Sequence, residues 1–309
     1  MKFYLFKTFT TSYYFPELSS NQQYMYGLYS AYGGRLSKIY WALFRKSRLV
    51  RNLTAVSAGK LPFPYEVICN VDGTDSLMSF NMGSPGVEQK ISILGYDNRT
   101  GEPFFAKFSQ KPAARRLTEN EIRVYRILDG TMLTPKLLGC SHGEDYDYLK
   151  AEYIPGIRPQ TRELTDDVVR LCVMLSQCHL TEIRTDGSGL MMCLSHGDFC
   201  PWNILVSEKG MQLIDWELAD DRPLGFDLFT YICQVSALFT SGKDLLKSIN
   251  EADKQVKCYF STFGIVDYRP YLRAFAEEKI GYERSKGNSR LLEKYEELFS
   301  MLQVCGSIK

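Results

Sequence analysis

Apolar and polar positions fall into blocks along the chain, and the block lengths separate strands from helices. Between residues 66 and 110 the apolar runs are short: EVICNV, LMSFN, VEQKISIL and FFAKFS, split by the turn clusters DGTD, GSPG and DNRTG. Short Val-, Ile- and Phe-rich runs with Gly, Asp and Asn between them predict strands. The stretch RRLTENEIRVYRILDG then spaces its apolar residues as a helix does, and a further strand pair is expected near Lys136–Ile154. From Asp166 onward the spacing is helical, broken once inside LSHGDFCPWNILVSEKGMQLIDWE, from Leu194 to Glu217. The last helix keeps Leu291, Leu292, Tyr295, Leu298, Phe299 and Leu302 on one face. No internal repeat is apparent.

This pattern predicts an α+β chain with a small β-rich lobe over residues 66–154 and a larger helical lobe over 155–309. Residues 1–65 read as an aromatic and basic extension, expected to be helical. A crevice between two such lobes is a usual place for a ligand.

Within the segment 194–217, Ile204–Val206 and Met211–Ile214 predict two strands joined by SEKG. Asp198 and Asn203 sit on the loop before the first strand, and Asp215 ends the second. Asp and Asn are poor strand residues, and a buried carboxylate is costly unless a cation answers it. A hairpin that brings these three together clusters hard oxygen donors, the kind Mg²⁺ takes alongside phosphates. The spacing His-x-Asp-x-x-x-x-Asn, here His196, Asp198 and Asn203, is that of a kinase catalytic loop. An isolated HGD is more often a turn or a helix cap. Asn203 and Asp215 in register make the chemical reading the better one.

HGDFCPWNIL followed by LIDWE resembles the signature of the aminoglycoside phosphotransferase and choline kinase group, over roughly residues 70–300. The resemblance implies a protein-kinase-like two-lobed fold that uses ATP and Mg²⁺. It implies that Asp198 is catalytic, that Asn203 and Asp215 hold the metal, and that His196 and Asp227 support the loop. Asp227 also reads as the N-cap of a helix beginning at Leu228. Lys107, a charge inside the apolar strand FFAKFS, reads alone as a snorkelling surface lysine; beside such a loop it would reach the nucleotide phosphates. Gly83 and Gly86 would lie in the loop over those phosphates, although no P-loop pattern occurs. The partner of Lys107 is Glu121 or Glu119. Thr118 to Glu121 also reads as a capping box, with Leu117 and Ile122 as its hydrophobic staple, which would commit Glu121 to the helix backbone. By likeness alone, the Ala151 carbonyl and the Tyr153 amide would pair with the adenine edge.

Other chemistries fit less well. Cys193, His196 and Cys200 lack a further ligand pair at zinc spacing. Cys178 and His179 lie on a helical pattern and read as core. Only eleven residues separate Asp215 from Asp227, with no A-P-E anchor for docking a peptide, so the acceptor is expected to be a small-molecule hydroxyl: carbohydrate-like, an amino alcohol or an antibiotic. Glu217, Asp220 and Asp221 would suit an amine. A catalytically idle, nucleotide-binding relative is the competing class.

Composition and charge narrow the setting. The 309 residues are 45% hydrophobic and 24% charged, an ordinary globular mixture, and a net charge of +1 gives no field for nucleic acid. Nine cysteines without paired spacing fit reduced thiols in a cytoplasmic protein. Lys7 interrupts the apolar start MKFYLFKTFTTSYYF, so no signal peptide is expected, and LFTYICQVSALFTSG is too short to span a bilayer. The charge is polarised. Between Glu17 and Glu66 there are seven Lys or Arg and no acid. Residues 35–51 mix these with Ile39, Tyr40, Trp41, Leu43 and Phe44, which predicts either a peripheral contact with an anionic membrane or aromatics packed on the small lobe.

Overall fold

The computed structural model describes residues 1–29, 35–73, 75–178, 184–185, 189–240 and 244–306. The chain forms two compact units: residues 1–123 with 135–153, and residues 124–134 with 154–309.

The first unit contains β1 (Lys2–Lys7), β2 (Ser12–Pro16), α1 (Arg35–Lys46), α2 (Arg48–Leu53), β3 (Ala55–Ser57), α3 (Tyr65–Asp72), β4 (Ser76–Asn81), β5 (Ile91–Asp97), β6 (Pro103–Ser109), most of α4 (Pro112–Ile127), β7 (Leu137–His142) and β8 (Asp147–Glu152). Its strands form one antiparallel sheet in the order β3-β1-β2-β4-β5-β6-β8-β7. The fold class expected from the sequence is therefore present, an antiparallel N-terminal sheet followed by a helical C-terminal part.

Two expectations are corrected here. Residues 1–65 are not a separate helical extension, because β1, β2 and β3 complete the sheet. β1 is buried on both faces: Phe3 joins the cluster under α3, while Tyr4 and Phe6 join Trp41 and Phe44 of α1. A strand covered on both sides carries no polar alternation to give it away. EVICNV is a helix, not a strand. It runs from the Pro64 cap to Gly73, whose φ of 65° closes the C-terminus, and it turns Ile68 and Asp72 inward one helical turn apart. The buried Asp72 carboxylate accepts from Tyr148 Oη, Lys150 Nζ and Ser76 Oγ at 2.7–2.8 Å, pinning α3 to the sheet.

The second unit contains α5 (Asp166–Cys178), β9 (Arg184–Thr185), β10 (Met191–Ser195), β11 (Ile204–Ser207), β12 (Gly210–Leu213), β13 (Asp220–Pro223), α6 (Phe226–Phe239), α7 (Leu245–Glu251), α8 (Asp253–Ser261), α9 (Arg269–Lys286) and α10 (Ser289–Gly306). β11 and β12 form the expected hairpin, and β9, β10 and β13 form a second small sheet. Tyr295 and Leu298 of α10 are buried, as the apolar face of that helix requires. No described helix is long and apolar enough to cross a membrane.

Candidate active site

In the first unit, β6 and α4 bring two opposite charges together. Lys107 is 5% exposed and its Nζ donates to Glu121 Oε2 at 2.6 Å; Glu121 is 1% exposed. α4 begins at Pro112, six residues before the capping box read from the sequence. Thr118 is therefore a buried mid-helix residue whose hydroxyl meets Ser109 Oγ at 2.6 Å, and Leu117 and Ile122 are no staple. That leaves the Glu121 carboxylate for Lys107, while Glu119 is exposed on the outer face. Two buried charges at this distance hold each other, since neither has water to satisfy it.

Gly83 and Gly86 lie between β4 and β5, as expected. Gly83 has φ 64°, and a Cβ there would run into the Lys90 carbonyl, so the turn admits only glycine. Lys111 Nζ donates to Gly86 O at 2.7 Å, tying this loop to the start of α4. Ala151 and Tyr153 differ in setting. Ala151 lies inside β8 between Phe105 and Leu137. Glu152 N bonds Lys136 O on the β7 side, so the Ala151 backbone groups turn the other way, toward β6. The carbonyl expected to meet adenine is thus part of the sheet. Tyr153 is the first residue beyond the strand, with its ring 5.0 Å from that of Tyr24.

In the second unit, the loop after β10 is held from beneath by Asp227 in the first turn of α6. Its carboxylate accepts from Ser195 Oγ (2.8 Å), His196 N (2.7 Å) and Gly197 N (3.1 Å). α6 starts at Phe226 with Gly225 as its cap, so Asp227 does not cap a helix beginning at Leu228. Gly197 has φ 82°, and a Cβ would collide with the Leu218 carbonyl. The tight turn at HGD therefore needs its glycine.

The loop is also joined to the end of the hairpin. His196 is fully buried; its Nε2 donates to Ile214 O at 2.9 Å and its Nδ1 accepts from Asp198 N at 3.3 Å. A carbonyl can only accept and an amide N–H can only donate, so the ring is the neutral Nε2–H tautomer. Ile214 N bonds Asn203 O at 3.0 Å, which closes the other side. Asp215 follows with φ 70°, and among the described residues it is the one non-glycine with positive φ. Asp tolerates the left-handed region better than most residues, yet holding it there costs free energy, which makes the position a candidate for function.

Asp198 Oδ2 accepts from Asn203 Nδ2 at 2.8 Å and from Trp202 Nε1 at 3.4 Å. Asn203 Nδ2 also donates to Asp198 O at 2.9 Å. Because the Asn203 amide spends its N–H groups on Asp198, its Oδ1 is the atom left for a cation. An amide oxygen and the Asp215 carboxylate are hard donors, a set whose chemistry fits Mg²⁺.

The zinc reading fails on geometry. His196 spends both ring nitrogens on the backbone. Burial raises the Cys193 and Cys200 thiols above their ordinary value. His179 lies outside the described residues, and the Cys178 thiol is raised by burial. Asp220 and Asp221 are exposed on β13, which pairs with β10 at Ser195 and Leu194.

One neighbour of Asp198 escaped the sequence reading. Lys279 of α9 is 5% exposed, and its Nζ reaches Gly197 O at 3.4 Å among the rings of Phe226, Phe275 and Tyr282. Its burial lowers its pKa below the usual 10.5. The signal was there: in RPYLRAFAEEKIGYER, Lys279 falls on the stripe of Leu272, Phe275 and Ala276, where a core residue is expected.

Residues 183–254 match the family described as "Phosphotransferase enzyme family". No curated protein sequence matches the chain significantly. Among solved structures, the chain is similar to an amicoumacin kinase in complex with AMP-PNP, Ca²⁺ and Ami (9% identity, 69% of this chain and 84% of that one, TM-score 0.44). It is similar to an aminoglycoside-3'-phosphotransferase of type VIII (14% identity, 66% and 88%, TM-score 0.41). It is also similar to a protein from Haemophilus somnus 129PT described as a fructosamine-3-kinase (11% identity, 77% and 94%, TM-score 0.47). The matched stretch includes His196, Asp198, Asn203, Asp215 and Asp227.

Proposed function

We propose that the chain is an ATP- and Mg²⁺-dependent phosphotransferase that moves the γ-phosphoryl group of ATP to a hydroxyl of a small molecule. The observation that carries this reading is Asp198. Its carboxylate is oriented by Asn203 at 2.8 Å on a loop that Asp227 fixes, inside the phosphotransferase-family segment. In this reading Asp198 positions the acceptor hydroxyl and takes its proton as the new O–P bond forms and the bond from the γ-phosphorus to the bridging oxygen breaks, ADP leaving with that oxygen. Asn203 and Asp215 would hold Mg²⁺, which would supply positive charge against the phosphates. Lys107, fixed by Glu121, contacts the phosphates, and the loop at Gly83 and Gly86 covers them. His196 carries no proton in the reaction; its two bonds set the loop against the hairpin.

A carbohydrate-like alcohol, an amino alcohol or an antibiotic would serve as acceptor. The segment from Asp215 to Asp227 has no peptide-docking length. Residues 240–309 hold ten acids against twelve Lys and Arg, a poor match for a polyamine. ATP consumption against pooled sugars, amino alcohols and antibiotics tests the reading. Turnover with one pool that Asp198→Asn removes supports it. Nucleotide binding without turnover in any pool favours the idle nucleotide-binding class instead.

A second reading concerns where the enzyme works. Trp41 and Phe44 are packed inside the first unit, but Leu36, Ile39, Tyr40 and Leu43 of α1 and Leu49 and Leu53 of α2 are exposed. Arg35, Lys38, Arg45 and Lys46 surround them, also exposed. An apolar helix face bordered by cations suits an anionic bilayer surface, with about 1 kcal/mol gained per basic residue near the headgroups. A cytoplasmic enzyme docked in this way would act beside a lipid-linked acceptor.

A further inference from the structure

Asp198 shares a cavity of about 160 Å³ with Lys279, Arg222, Glu278, Gln234, Phe226 and Tyr282. Lys279 is the unusual member. A lysine this deeply buried normally has a carboxylate on it, because an unanswered charge away from water is costly. Among the described residues Lys279 makes no ion pair within 4 Å. Its polar contact is the long bond to Gly197 O at 3.4 Å, and its other neighbours are aromatic faces at 4.9–6.0 Å.

Each acid around it is engaged elsewhere. Asp227 accepts from Ser195, His196 and Gly197. Asp198 accepts from Asn203, Trp202 and Cys200. Glu278 is paired with Arg222, which also donates to Leu218 O. Glu283, one turn along α9, accepts from Asn288 Nδ2 at 2.9 Å, and its burial raises its pKa, weakening it as a counter-charge. The ammonium thus borders the cavity with Asp198 and Asp227 near enough to attract it but, among the described residues, no carboxylate in direct contact with it.

We propose that Lys279 binds an oxyanion beside Asp198, a phosphoryl or carboxylate oxygen seated in this cavity. The choice of ligand follows from the chemistry. A cationic acceptor would meet Lys279 and Arg222 directly, whereas an oxyanion would complete the hydrogen bonding of the ammonium. The placement beside Asp198 takes its meaning from the phosphotransferase reading, but the anion site itself does not depend on turnover. Two sources share this chemistry: the phosphoryl group being transferred, and an anionic substituent on the acceptor.

The test is a calorimetric titration of the full chain with inorganic phosphate, in the parent protein and in Lys279→Met and Lys279→Arg. Met preserves the apolar stem and removes the charge; Arg keeps the charge. The parent protein should bind phosphate, Lys279→Met should bind it about 10-fold more weakly or worse, as expected for loss of a charge-assisted hydrogen bond, and Lys279→Arg should retain most of the affinity. Repeating the titration with a non-hydrolysable ATP analogue and Mg²⁺ present assigns the source. Competition identifies the transferred group, and simultaneous binding identifies an anionic acceptor. Equal affinity in the parent and in a folded Lys279→Met, or no phosphate binding by the parent, overturns the proposal. Lys279-dependent binding in a protein that turns over no acceptor would retain the anion site and reject the phosphotransferase reading, so the two fail separately.

Discussion

Lys107 and Glu121 meet at 2.6 Å with both side chains almost wholly shut from water. Removing one partner leaves the other charge stranded. Lys107→Ala should cost about 3–5 kcal/mol of stability, measured by urea unfolding. The double variant Lys107→Met, Glu121→Leu should recover most of that loss, because it removes both charges and keeps the volume. Phosphoryl transfer should fail in the single and the double variant alike. A double variant that regains stability and also keeps full turnover would reduce the pair to a structural role.

The metal assignment makes a graded prediction. Asp215→Ala should abolish turnover or demand far more Mg²⁺, and Asn203→Ala should do the same more mildly, since a neutral amide contributes less charge to a cation. Turnover as a function of Mg²⁺ concentration reads both. An unchanged Mg²⁺ requirement in Asp215→Ala would remove that carboxylate from the site.

Lys279 carries a pH signature. Burial lowers its pKa from 10.5, so between the lowered value and 10.5 the unfolded chain binds the extra proton. Stability then rises with pH across that window as the native ammonium is relieved of its charge. Relative to Lys279→Met, the parent protein should therefore gain stability from pH 7 towards pH 10 in urea unfolding. A difference between the two that stays flat with pH would show an ammonium no worse placed inside than in water.

The exposed face of α1 and α2 predicts binding to vesicles. The protein should float with anionic liposomes, the interaction should fade as salt rises, and Leu36→Glu with Leu43→Glu should abolish it while leaving the fold intact, because both side chains are exposed. Absence of flotation at low salt would leave this face without a membrane role.

The loop and hairpin over residues 194–217 are more legible in the sequence than the sheet of the first unit. HGDFCPWNIL and LIDWE mark Asp198, Asn203 and Asp215 because tight turns and oxygen donors leave residue types that composition alone does not explain. Gly197 is the clearest case, since only glycine clears the Leu218 carbonyl. EVICNV is ambiguous because a six-residue run with four apolar positions fits a strand or two helical turns equally well, and the Pro64 and Gly73 boundaries decide between them. β1 and β2 hid because aromatic residues cover both of their faces. Glu121 was ambiguous between Lys107 and a helix cap until the true start of α4 at Pro112 freed it. Lys279 shows in the sequence as a core position on the α9 stripe, but nothing local joins it to Asp198, more than eighty positions away in the chain. The Ala151 carbonyl left no mark of its own, and the pairing of β8 with β6 reassigns it to the sheet.

In the proposed phosphoryl transfer, Asp198 handles the acceptor proton. This role is tested most directly by steady-state turnover and ATP binding of Asp198→Asn, measured with the acceptor pool that the parent protein consumes. The substitution is isosteric and leaves the loop anchored by Asp227. In Asp198→Asn, kcat should fall by about 10²–10⁴-fold, the span expected for loss of a general base, with ATP affinity changed little. Turnover within a few-fold of the parent would contradict it.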